Sequence, residues 1–180
     1  GLYHSMAVDS SGKVYAWGRN NYGQLGDGTT SDRYTPVCIS NISTSPLYGK
    51  IITDVSAGDY QSMAVDSDGK VYAWGSNAYG QLGDGTKTKR YIPVCISDIS
   101  SSPLFGKVIQ AVSAGSGHGM AVDNNGKVYT WGSNNNGQLG DKTTTTRYNP
   151  ICISDISTSL LHGKVINAVS AGNGYSMAVD

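Results

Sequence analysis

The sequence predicts an all-β fold: a β-propeller of four-stranded antiparallel blades, present as an incomplete array of about three. Three observations predict it. A unit recurs at a strict interval of 57 residues, seen in Trp17, Trp74 and Trp131, in Cys38, Cys95 and Cys152, and in Met6, Met63, Met120 and Met177. Each unit breaks into short apolar runs separated by turn residues, as strands do. The runs are apolar on both faces: in "KVYAW", Val71 and Ala73 alternate with Tyr72 and Trp74. A sheet with one wet face would alternate more cleanly. Sheets covered on both sides need neighbours on both sides, and radial stacking of repeated blades supplies them.

The second unit shows the elements in order. Residues 51–58 read as a first strand, 62–66 as a second, 70–75 as a third and 91–97 as a fourth. Pro93 near the start of the fourth marks an edge strand or a strand entry. Between the second and third, "DSDGK" places Asp-Gly between apolar runs, a short-hairpin signal; the other units carry "DSSGK" and "DNNGK". The connection "SNAYGQLGDGTKTKR" holds three glycines, suited to positive φ or close backbone approach. In "DISSSPLFGK", Ile99, Leu104 and Phe105 are expected to pack the loop down, with His162 replacing Phe105 in the third unit. The chain is one array over 1–180, with units 1–57, 58–114 and 115–171 and a partial unit 172–180. Three units do not fill a ring, so the chain reads as a window from a longer array, with open blade edges available for self-association.

Composition narrows the class. Thirteen basic and thirteen acidic residues cancel, every acid is Asp, and glycine reaches 24. Missing Glu and abundant Gly, Ser, Thr and Asn disfavour helices. A neutral balance lacks the basic stripe of a nucleic-acid binder. No apolar run reaches the roughly 18 residues of a membrane helix, so no membrane insertion is expected. The composition leans toward a surface or secreted bacterial protein.

Catalytic, metal and cofactor sites are not expected. The cysteines occupy equivalent places in successive modules, too dispersed for a zinc site, and read as buried free thiols. His4 and His118 are likewise equivalent positions of different units. Ser5 beside His4 faces the opposite side of its strand, so the pair is no triad. Asp66-Ser-Asp68-Gly69 lacks the later ligands of a calcium loop and reads as a turn.

The stretch "SAGDYQSMAVDSDGKVYAWGSNAYGQLGDGT" and its two cognates resemble the regulator of chromosome condensation repeat family, over the whole chain. The third unit departs with Lys142 where Gly28 and Gly85 stand. The resemblance implies a β-propeller, usually of seven blades. It also implies activities that vary among members: nucleotide exchange on a small GTPase, β-lactamase inhibition or ultraviolet sensing. The exchange activity implies an inserted wedge, whereas the units here are equal in length.

In an up-and-down blade, the first-to-second and third-to-fourth loops share one face. The units differ most there: Leu2, Tyr3 and His4 against Asp59, Tyr60 and Gln61 against Ser116 and His118; Arg19, Asn21 and Tyr22 against Ala78 and Tyr79 against Asn135 and Asn136; and Lys87 and Lys89 in the second unit alone. Tyrosines with small polar residues suit recognition. The expected function is a non-catalytic scaffold binding another protein through this face. The alternatives are a guanine-nucleotide exchange factor, or a structural repeat of a surface protein or filament.

Overall fold

A computed structural model describes residues 1–180. Strands β1 (His4–Val8), β2 (Val14–Gly18) and β3 (Arg33–Cys38) form a three-stranded sheet. Strands β4 (Ile52–Ala57), β5 (Gln61–Asp66), β6 (Val71–Gly75) and β7 (Arg90–Cys95) form a complete blade. So do β8 (Ile109–Ala114), β9 (His118–Asp123), β10 (Val128–Gly132) and β11 (Arg147–Cys152). The pair β12 (Ala168–Ala171) and β13 (Ser176–Val179) begins a fourth. All pairings are antiparallel between chain neighbours. The sheets do not close into a ring, so this is an incomplete propeller. The fourth strand is the blade edge, as Pro93 implied, and the ladder shifts register between Ala73 and Gly75, opposite the proline segment.

The core lies between blades, not within them. Val14, Ala16 and Leu25 of the first blade pack against Ala64, Tyr72 and Trp74 of the second. Met63, Val71, Ala73 and Leu82 of the second pack against Ala121, Tyr129 and Trp131 of the third. The alternation of Val71 and Ala73 with Tyr72 and Trp74 thus feeds two different interfaces. Strands β5, β6, β9 and β10 are buried at every position. The end blades keep one open side each: Ser5 and Ala7 are exposed in β1, Met177 and Val179 in β13.

Each internal Trp is a knob seated in the preceding blade's glycine-rich loop. Trp131 Nε1 donates to the Gln81 carbonyl at 2.9 Å, and Trp74 Nε1 to that of Gln24 at 2.9 Å. A Cβ on Gly83 would lie 2.9 Å from the Trp131 ring, so only glycine leaves the seat open. The strand and the loop recur together because one is the mould of the other.

First strands line the inner side and are tied crosswise. Ala114 N–H donates to Ser56 Oγ at 2.9 Å, and Ala171 N–H to Ser113 Oγ at 2.9 Å. At the opposite end of the first-strand hairpins, Asp66 closes the β5–β6 turn. Its Oδ1 accepts the N–H groups of Asp68 (3.0 Å) and Lys70 (2.9 Å), and its Oδ2 the Tyr72 hydroxyl (2.9 Å). The carboxylate serves its own turn, which is the reading the sequence supported.

Two expectations need correction. Leu104 is buried, but Phe105 is 54% exposed, and Tyr48 and His162 are exposed as well. The turn fixes this: Ser102 Oγ accepts the Leu104 N–H, Leu104 takes the inward position, and the next residue points out. The cysteines are free but only half-buried. Burial pushes the Cys95 thiol up to about 11, helped by a hydrogen bond with Asp98.

Lys142 adopts φ 62°, where Gly28 and Gly85 have φ 79° and 77°. A side chain in the left-handed region costs about 1–2 kcal/mol. Lys142→Gly is therefore expected to raise stability by about 1 kcal/mol, read as a higher urea midpoint with unchanged slope. A lower midpoint would contradict the assignment of strain.

Candidate interaction face

The third-to-fourth loops are built as rigid brackets. Asn77 follows β6, and its Nδ2 donates to Asp84 Oδ1 (3.0 Å) and to the carbonyls of Thr86 and Thr88 (3.1 Å each). Its Oδ1 accepts the Leu82 N–H at 3.1 Å. Arg90, opening β7, grips Asp84 Oδ2 through Nε (2.8 Å) and a terminal nitrogen (2.7 Å). Asn20, Asp27 and Arg33 repeat the bracket, as do Asn134, Asp141 and Arg147. Burial raises the Asp84 pKa, but hydrogen bonds from Thr86, Arg90 and Asn77 outweigh it and hold the carboxyl below its usual value. These residues escaped the functional reading; their signal was sameness in all three units.

The brackets hold variable tips beside the first-to-second loops. Ser76 N–H donates to the Tyr60 carbonyl (2.8 Å), Arg19 N–H to that of Tyr3 (2.9 Å) and Ser133 N–H to that of Gly117 (2.8 Å). The two loop classes therefore share one face, as the up-and-down order required. Together they form a cleft of about 430 Å³, lined by Tyr22, Tyr60, Tyr79, Ser116, Asn135 and Asn136 among others. Leu2, Tyr3, Asn21, Ala78, Lys87 and Lys89 are exposed around it, and Arg19 and Asp59 are half-buried.

Three expected face residues are elsewhere. His4, Gln61 and His118 are 3%, 0% and 0% exposed and serve as contacts between blades. His4 Nε2 meets Ser62 Oγ of the next blade at 2.8 Å, and His118 Nε2 meets Ser176 Oγ at 2.9 Å. Ser62 donates its own proton to the Gln24 carbonyl (2.7 Å), so His4 must donate from Nε2. Nδ1 of both histidines is buried without a partner. The third blade has Gly119 where a hydroxyl would stand, and Gln61 instead donates to the carbonyls of Gly115 (2.8 Å) and His118 (3.2 Å). These side chains open the second strand, so the neighbouring blade covers them.

The RCC1-like domain family matches residues 1–178 of this chain. The chain belongs to that family. Among relatives, this RCC1-like chain is 36% identical over 168 residues to the ultraviolet-B receptor UVR8 of Arabidopsis thaliana, covering 93% of the chain and 36% of the receptor. It is 31% identical over 178 residues to the human probable E3 ubiquitin-protein ligase HERC4, covering 99% of the chain and 16% of the ligase. Among solved structures it resembles Prp20p of Saccharomyces cerevisiae, described with its binding to Gsp1p and histones. The TM-score is 0.81 at 22% identity, covering 99% of the chain and 42% of Prp20p. That likeness shows the RCC1 propeller fold. The RCC1-like chain spans less than half the length of each of these proteins.

The inter-blade histidines give this RCC1-like domain a pH dependence. Burial lowers the His118 pKa to about 4, and burial, with the nearby amino terminus, lowers that of His4 to about 4. The unfolded chain takes up these protons from about pH 6.5 downward. Stability is therefore full above pH 6.5 and declines as pH falls from 6.5 toward 4. His118→Gln, the side chain used at residue 61, is expected to flatten that decline in urea midpoints compared at pH 7 and pH 5. An unchanged decline in this variant would contradict it.

Proposed function

We propose that this RCC1-like array is a non-catalytic scaffold that binds another protein across the loop face. The observation that supports this most is the cleft: its lining comes from loops of successive blades, held by invariant brackets, while its exposed tips vary. Constant supports under variable tips are what a modular recognition surface needs. Tyr22, Tyr60 and Tyr79 bring amphipathic contact area at low entropic cost, and Ser116, Asn135 and Asn136 adaptable hydrogen bonding. Equal unit lengths favour this reading over nucleotide exchange. The RCC1-like relatives add that a protein partner is in character, since Prp20p is described as binding Gsp1p and histones.

A photo-reactive phenylalanine analogue placed singly at Tyr79, Asn135 or Phe105 of the protein tests it in the source cells. Phe105 lies in a hollow on the opposite face with Asp68, Lys70 and Lys107. The expected result is a shared crosslinked protein from Tyr79 and Asn135 and none of it from Phe105. Crosslinking from Phe105 alone would overturn the assignment.

A further inference from the structure

We propose that the first two blades carry an acid-reading end of this face, so that the partner segment engaged there is an acidic peptide bearing apolar side chains. The proposal rests on the scaffold reading and adds the chemistry of the partner. It starts from how the charges are disposed. The face's three arginines at bracket positions, Arg33, Arg90 and Arg147, are each spent on an aspartate. Arg19, Lys87, Lys89 and Lys142 have no carboxylate partner. The unspent acids on this face are Asp32, whose Oδ1 accepts the Asn20 N–H at 2.8 Å, and the half-buried Asp59. On the opposite face Lys70 pairs with Asp98 at 2.8 Å and Lys127 with Asp155 at 2.7 Å, while the unpaired Lys107 shares a hollow with Asp68 and Asp98 and the unpaired Lys13 belongs to the Asp9 turn. A chain neutral overall thus leaves unmatched positive charge where its recognition loops are.

The second observation is where those cations stand. Arg19 lies 5.2 Å from the centre of the Tyr3 ring, Lys89 4.8 Å from that of Tyr22, and Lys87 4.9 Å from that of Tyr148. Tyr3 and Tyr22 both meet Tyr60, with ring centres 6.1 Å and 5.0 Å apart. Arg19–Tyr3–Tyr60–Tyr22–Lys89 is therefore one continuous track across two blades, cationic at both ends and aromatic between. The ring faces hold the cations in place without neutralising them. Carboxylates fit the ends and apolar side chains the middle. The third blade dissolves the pattern: Ser133, Asn136, Thr144 and Thr146 stand where Arg19, Tyr22, Lys87 and Lys89 occur in the earlier units. Preference for acid is thus concentrated at one end of the cleft, Lys142 being the one unpaired cation on the third blade's loop.

The test uses the 180-residue chain and two fluorescent octapeptides, Asp-Asp-Phe-Asp-Asp-Leu-Asp-Asp and the same peptide with every Asp replaced by Asn. Anisotropy titrations at low salt are expected to favour the acidic probe by about tenfold or more, with the preference shrinking as salt rises. Arg19→Gln with Lys87→Gln and Lys89→Gln, at one half-buried and two exposed side chains, should remove most of that preference and leave the unfolding midpoint close to that of the parent. Equal affinity for the two probes, or a preference that survives the triple change, would overturn the proposal. So would a thymidine octanucleotide that binds as tightly and depends on the same three residues, because charge alone would then be read. The crosslinking from Tyr79 and Asn135 reports on the scaffold independently: partner capture there with no acid preference sinks this proposal and leaves the scaffold standing.

Discussion

Trp74→Ala is expected to destabilise the chain by about 3–5 kcal/mol, while Trp17→Ala costs less than half as much. The residues occupy the same place in successive units and differ in one respect. Trp74 is fully buried against Leu25 of the preceding blade and donates to the Gln24 carbonyl. Trp17 faces the open side of the first blade and is half-buried. Truncating Trp74 empties an interface, removes one of two hydrogen bonds to the Gln24 carbonyl and loosens two blades at once. Truncating Trp17 removes a side chain already in partial contact with water. In thermal unfolding the Trp74 variant should melt on the order of 10 °C lower. Equal losses for the two would mean that stability resides within each blade.

The second large effect lies in the loop brackets. Asp84→Ala removes the acceptor of Arg90 and of the Thr86 N–H and hydroxyl in a part-buried setting. Breaking a buried pair costs about 3–5 kcal/mol, and the Arg90 side chain, 36% open to solvent, brings the expected loss down to about 2–3 kcal/mol. The carboxyl titrates below its usual value when folded, so its contribution is fully present above the unfolded value of about 4 and is lost as pH falls through the lower folded value. Arg90→Ala should leave the chain folded at pH 7 and move its acid-unfolding midpoint upward. Acid midpoints that coincide for Arg90→Ala and the parent would show that the pair carries nothing.

Much of the architecture is legible in the residues. The 57-residue recurrence, the Asp-Gly turns, the prolines of the outer strands and the two-sided apolar runs lead directly to the blades and to the order of their strands. The sharing of one face by the two loop classes also follows, because antiparallel strands alternate direction. What periodicity does not reveal is cover supplied by a neighbour. His4, Gln61 and His118 follow a variable loop and look like part of it, yet the adjacent blade buries them. Reading each unit against its successor shows why: His4 precedes a unit with Ser62, His118 one with Ser176, and Gln61 one with Gly119. Phe105 fails for a local reason, since a turn decides which of two adjacent apolar residues faces inward. The Asn–Asp–Arg bracket was hidden by its own constancy, for differences between units pointed toward the tips and away from what holds them.

Amide hydrogen exchange, followed by mass spectrometry in dilute solution, tests the central claim most directly: a blade is stable because its siblings cover both its sides. The slowest exchange is expected in β5, β6, β9 and β10, with β2 exchanging far sooner although it too is paired on both sides, and the edge strands β1, β12 and β13 sooner still. Uniform protection across all the sheets, end blades included, would contradict it.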